Sequence, residues 1–160
     1  MSRKTARRHA FHLIYQIPFH LAGGISSLAE LKANYYDFVS FGSKEVEGLD
    51  ALKRPTGKDA QYVDKAVWGV YEKLAEIDGV IGEFLKGWTV ERISKVDLAL
   101  LRLSIFEMLS LDDVPLGVAV NEAVELAKEY GSDESPAFVN GVLGGVSRAI
   151  EAKGRESVGS

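Results

Sequence analysis

Cysteine is absent from the 160 residues, which excludes disulfides, zinc ribbons and any cysteine nucleophile. The four prolines, at 18, 55, 115 and 136, all fall where a helix is expected to break or begin. No apolar run reaches the roughly 18 residues needed to span a bilayer. The greasiest stretch, residues 96–111, is interrupted by Asp97, Arg102 and Glu107, which makes it a core helix. A basic start followed by residues 10–21 has the outline of a secretory or twin-arginine signal. His12, Gln16, Pro18 and His20 interrupt its apolar part, so a cytoplasmic chain is expected instead. Acid is also missing from one place. Residues 1–29 hold Arg3, Lys4, Arg7 and Arg8 and neither Asp nor Glu. The formal net charge of −4 is therefore a +4 segment joined to a body with 15 basic and 23 acidic residues, net −8. Such an average excludes little about partners.

What is present is enough apolar side chain, 46% of the residues, for one domain or two small subdomains sharing a core. Helical periodicity dominates. Ala6, Ala10, Leu13 and Ile14 form one stripe of a helix over 4–16, with Arg3, Arg7 and Arg8 mostly off it. Pro18 ends or bends that helix. Ser26 or Ser27 is a candidate cap for a second helix over 28–36, and 40–59 reads as a loop with a short turn near 46–52. Val63, Val67, Val70, Tyr71 and Leu74 place a third helix over 59–76. Asp78-Gly79 should break it, before a short helix through Ile81, Phe84 and Leu85. Thr89 is a candidate cap for a turn over 90–94, and Ser94 precedes the most apolar helix. That helix is greasy around most of its circumference, so others must cover it on several sides. A helix over 117–130 should bury Val120, Ala123, Val124 and Ala127, with Gly131 left-handed just beyond it. Ser135-Pro136 predicts an N-cap and first helical residue. The last helix, to about 151, carries Gly141, Gly144 and Gly145. Each costs roughly 1 kcal/mol against Ala, which means either close packing or backbone left open to a partner.

The chemistry-bearing constellations are few. His9 and His12 share a helix face and His20 follows, but neither a cysteine nor a nearby acid completes a metal shell. Asp97 and Glu107 lie about 15 Å apart along a helix axis, too far for one reacting centre. The chain has no G-x-S-x-G elbow and no phosphate loop, so no enzyme is expected. The sharper signal is Arg3, Lys4, Arg7 and Arg8. They repel at i, i+4 spacing and sit at a helix N-terminus, where the macrodipole disfavours cations. A polyphosphate relieves both penalties, and RNA is the expected anion.

Longer motifs add a family. The run Arg92-Ile-Ser-Lys-Val-Asp-Leu-Ala-Leu-Leu-Arg-Leu-Ser-Ile-Phe-Glu-Met108 resembles the NusB signature. Asp113-Val-Pro115, Val118-Ala-Val-Asn-Glu-Ala-Val-Glu-Leu-Ala-Lys128 and Phe138-Val-Asn-Gly-Val-Leu143 follow in family order. Arg3-Lys-Thr-Ala-Arg7 with Leu13-Ile-Tyr15 resembles the family's arginine-rich first helix. The likeness is strong over 92–146, good over 3–16 and thin over 20–90.

The resemblance implies an all-α fold of about seven helices in two small packed bundles. These would form one domain over 1–153, with sub-bundles near 1–87 and 88–153 and a loose tail at 154–160. It implies a transcription antitermination factor. Such a factor binds boxA-type single-stranded RNA of ribosomal RNA leaders together with NusE, a small-subunit ribosomal protein, within the RNA polymerase antitermination complex. By position, Arg3, Lys4 and Arg7 match the RNA-binding cluster, beside Arg8, and Phe138 and Asn140 lie at or near the RNA surface. Tyr15, Glu91 and Asp97 match NusE-facing positions, and Glu134 an acidic position that tunes RNA or partner affinity. No cofactor, metal or membrane is implied. Thr5, Arg8 and His12 depart from the usual pattern, redistributing the basic patch, and the 40–59 loop is long for the family. The acidic body suits a basic protein partner. Four phosphate contacts would give a salt slope of roughly −3. A NusB-like RNA-binding domain is also attached to ribosomal RNA cytosine methyltransferases, enzymes that need a catalytic cysteine; this chain has none, which leaves a non-catalytic RNA-binding module as one alternative. A homodimer that masks the basic face remains an alternative.

Overall fold

The computed structural model describes residues 3–17, 24–42, 55–87 and 89–155. They form α1 (Arg3–Gln16), α2 (Gly24–Gly42), α3 (Gly57–Glu72), α4 (Leu74–Glu83), a 3-10 turn (Val90–Arg92), α5 (Lys95–Ser110), α6 (Leu116–Tyr130) and α7 (Ser135–Lys153). Among the described residues there is no strand, so the chain is all-α as expected. It divides into two compact units, residues 1–68 and 69–160, with the division inside α3.

In the first unit, α1 buries the expected stripe of Ala6, Ala10, Leu13 and Ile14, and also His9 and Phe11. A fully buried imidazole is tolerable only when hydrogen-bonded. His9 Nδ1 meets the Tyr35 hydroxyl at 2.8 Å, and its ring stands edge-on to Tyr35 and Tyr36, both at 5.6 Å. Leu28, Leu31, Tyr35 and Tyr36 give α2 its buried face at i, i+3, i+7 and i+8. The helix starts earlier than expected, at Gly24, so Ser26 and Ser27 lie inside it rather than capping it, and it runs to Gly42. Lys32 Nζ reaches Asp64 of α3 at 2.6 Å. The expected turn near 46–52 lies outside the described residues.

The second unit is built around α5, which is buried on every residue from Ala99 to Met108. The polar members within that span have partners. Arg102 donates to both oxygens of Asp78, from Nε at 2.9 Å and Nη2 at 2.8 Å. Ser104 Oγ donates to the Ala119 carbonyl at 2.9 Å. That ion pair accounts for one correction. Asp78-Gly79 does not break the helix; the break comes at Lys73, and both residues lie inside α4. A helical glycine costs about 1 kcal/mol, which a bidentate, partly buried ion pair can offset. Ser94 caps α5, its Oγ accepting the Asp97 N–H at 3.2 Å. Thr89, also extended, makes no side-chain cap.

The α6–α7 corner brings three more corrections. The buried stripe of α6 is Ala119, Ala123, Leu126 and Ala127, while Val120 and Val124 are only half-buried. Gly131 is extended (φ −94°, ψ −170°), not left-handed. It is required for space, because a Cβ there would lie 2.5 Å from Ser135 Oγ and 2.9 Å from the Ala127 carbonyl. Glu134 is the N-cap of α7, one residue before the expected Ser135. Ser135 is buried, and its Oγ accepts the Ser132 N–H at 3.0 Å, pinning the loop from inside the helix. The α7 glycines divide between the two readings. A Cβ on Gly145 would meet Phe84 Cδ1 at 2.9 Å, whereas Gly141 faces open space. After Lys153 the first tail residues are held, since the Arg155 guanidinium donates to the Met108 carbonyl.

Candidate nucleic-acid interface

In the first unit the candidate residues are the cations of α1. With no acid in its first turn, nothing there offsets the macrodipole. Lys4 is exposed and Arg3 and Arg8 are half-buried, but Arg7 is only 6% exposed. The four are therefore not one solvated row, as their places off the apolar stripe had suggested. Arg3 and Arg7 turn to Tyr62 of α3, their guanidinium carbons 4.5 and 6.0 Å from its ring centroid. Arg3 Nε is buried without a hydrogen-bond partner. Arg3, Lys4 and Arg8 thus present accessible charge, and Arg7 adds its charge from beneath. Burial, then His9, then Arg8 lower the His12 pKa to about 4. This histidine is neutral at pH 7 and adds no charge to the edge. Among the described residues, no group of three or more His, Asp or Glu side chains is placed to hold a metal; His20 lies outside them. Tyr15, named as a partner contact, is half-buried on α1, its ring 6.5 Å from that of Phe11.

In the second unit, the 3-10 turn, the start of α5, the α6–α7 loop and the first turn of α7 enclose a cavity of about 410 Å³. Asp97, Glu134 and Phe138, far apart in sequence, all line it, together with Arg92, Ile93 and Tyr130. Asp97 is 8% exposed, and its Oδ1 is buried with no hydrogen-bond partner. It stands in the first turn of α5, at the positive end of the helix dipole. Phe138 is half-buried and Glu134 exposed on the rim. Glu91 is exposed on the 3-10 turn and is not part of this lining. Asn140 faces a different concavity, a shallow groove of about 430 Å³ between α6 and α7, shared with Asn121, Ser147, Arg148 and Glu151.

The structure therefore groups Asp97 with Glu134 and Phe138, and separates Asn140 from Phe138. Sequence reasoning missed Tyr62, Tyr130, Asn121 and Arg148. Tyr62 and Tyr130 look like ordinary core aromatics in a helical pattern. Asn121 carried a weak signal, a helix-disfavoured amide in the middle of α6.

No helix of the described residues is long and apolar enough to cross a membrane. The model of the NusB family matches residues 4–148. A transcription antitermination protein NusB of Acetivibrio thermocellus is 52% identical over 161 residues, 98% of this chain and 97% of its own length. The solved NusB of T. maritima superposes with a TM-score of 0.73 at 27% identity, covering 92% of each chain. A crystal structure of antitermination factors NusB and NusE in complex with dsRNA matches with a TM-score of 0.71 at 26% identity, over 92% of this chain and 96% of that one.

Proposed function

This chain belongs to the NusB family, and on that premise we propose that it is a cytoplasmic transcription antitermination factor. It acts by binding rather than by catalysis, holding boxA-type RNA together with NusE within the RNA polymerase antitermination complex. The observation that carries the RNA part is the acid-free, cation-bearing start of α1. Arg3, Lys4 and Arg8 contact phosphates there, with Arg7 supporting them through its field. Phosphate contacts of this kind position a strand, and exposed bases specify it. Phe138 offers a half-buried ring for stacking and Asn140 an exposed amide for a base edge. Glu134, on the rim beside Phe138, tunes affinity by like-charge repulsion of phosphate.

NusE meets Tyr15, Glu91 and Asp97. The orphaned buried oxygen of Asp97 is an acceptor that a donor from a basic partner satisfies, and unmade buried hydrogen bonds are costly.

Anisotropy titration of a labelled boxA-like single strand, with and without NusE, tests the reading. With three accessible cations the single-strand salt slope is roughly −2, shallower than four contacts would give. Binding should tighten with NusE and weaken on Arg3→Ala plus Lys4→Ala. Salt-independent binding, or none in the presence of NusE, would falsify the assignment. A duplex competitor in the same titration establishes whether the strand is read single or paired.

A further inference from the structure

We propose that the cavity at the start of α5 is a binding site for a free alkylguanidinium compound, a flat organic cation on a short apolar stem. The site stands independently of the RNA reading. Only its competition with NusE, below, rests on the partner contact proposed above.

Asp97 lines this cavity, is 8% exposed, and holds Oδ1 buried without a hydrogen-bond partner. Buried polar atoms are nearly always partnered, and leaving one unmet is costly. Arg92 lines the same cavity but is exposed and does not bond that oxygen. The rest of the lining selects the donor that would. Ile93, Val96, Tyr130 and Phe138 supply an apolar and aromatic wall. A strongly hydrated ammonium loses much of its water against such a wall. A guanidinium is more weakly hydrated, stacks on aromatic faces, and presents paired N–H donors along one edge. The charges agree in sign, since Asp97 and Glu134 stand against Arg92 alone. Arg92 and Glu134 are exposed, so water screens both more than it screens the buried acid. The volume of about 410 Å³ falls within the range of small-molecule sites. Asp97 is also the acid that NusE is proposed to meet, so a bound compound and NusE should exclude each other.

The probe is n-butylguanidine, titrated into the full chain by calorimetry at matched chloride, with circular dichroism melts as a fold control. Binding in the millimolar range is expected for so small a ligand. Its neutral isostere n-butylurea should bind about tenfold or more weakly, the scale of a charge-assisted hydrogen bond. Asp97→Asn should lose the guanidine by the same factor, and Phe138→Leu should weaken it about fivefold. Glu83→Gln, at an exposed position of α4, should bind as the parent does. If Asp97→Asn unfolds the chain, the comparison of guanidine with urea on the parent decides alone. No binding, equal binding of guanidine and urea, or a guanidine affinity unchanged in folded Asp97→Asn overturns the site. A bound probe that NusE does not displace leaves the site standing and overturns the NusE contact at Asp97.

Discussion

Replacing Gly141 and Gly145 by alanine, one at a time, separates two uses of glycine on one helix. Both lie inside α7, where a glycine costs about 1 kcal/mol relative to alanine. Around Gly141 nothing lies within 4 Å of a new Cβ, so Gly141→Ala should realise that full gain. For a chain of this size the melting temperature should rise by about 2–4 °C. At Gly145 the same methyl would sit 2.9 Å from Phe84 Cδ1 and 3.4 Å from Cε1. Overpacking costs roughly 1–3 kcal/mol, so after the helix gain Gly145→Ala should be destabilising by about 0–2 kcal/mol. Urea denaturation with unchanged m-values reads both differences. Stabilisation of the two variants by the same amount would refute the packing argument, as would loss of stability in Gly141→Ala. The pair also bears on function. Gly141 follows Asn140 and lies one turn beyond Phe138, and the absence of a side chain leaves its backbone accessible. If RNA crosses here, Gly141→Ala is a more stable protein that binds RNA less well. Unchanged affinity would remove Gly141 from the contact surface.

Three further outcomes follow from the geometry. Asp78→Ala leaves the Arg102 guanidinium, 7% exposed, without its counter-charge, and should cost about 3 kcal/mol by chemical denaturation. Adding Arg102→Met should recover much of that loss, and no recovery would mean that the pair is not the source. Burial holds the His12 pKa down at about 4 in the fold, against an ordinary histidine value of 6.5. The unfolded chain therefore takes up the proton first, and stability, complete above pH 6.5, should fall as the pH drops from about 6.5 to about 4. The loss is at most about 3 kcal/mol; His12→Gln should flatten that window, and an unchanged pH profile would refute the assignment. Lys4→Glu, at an exposed position, should weaken RNA binding and make the salt slope shallower by about 0.7, with no change in melting temperature beyond about 2 °C. A large drop in melting temperature would show that Lys4 has a structural role.

Helix count, the α1 stripe and the all-round burial of α5 were legible in sequence because they rest on local periodicity. A helix with an apolar face every 3.6 residues must bury that face whatever surrounds it. The acid-free start of α1 was equally legible, since charge is countable, and the family motifs over 92–143 needed no coordinates. Failures came where a long-range contact overrode a local preference. Asp78-Gly79 looks like a breaker until Arg102, 24 residues on, pairs with it. Gly131 looks like a left-handed stop until Ser135 and the Ala127 carbonyl crowd its missing side chain. Val120 and Val124 are more apolar than Ala119 and Ala123, yet the alanines face inward, because close helix packing favours small side chains.

The candidate site shows the same division. The sequence alone determined that a cationic segment precedes an acidic body and that the chain carries NusB motifs, since composition and order are properties of the string. Only the tertiary structure decided that Arg7 is buried rather than solvated, and that Tyr62 lies under two of the arginines. It also decided that Asp97, Glu134 and Phe138 share one cavity while Asn140 faces another. Those facts depend on which side chains converge from distant segments, and convergence is set by how helices pack, which no local pattern encodes.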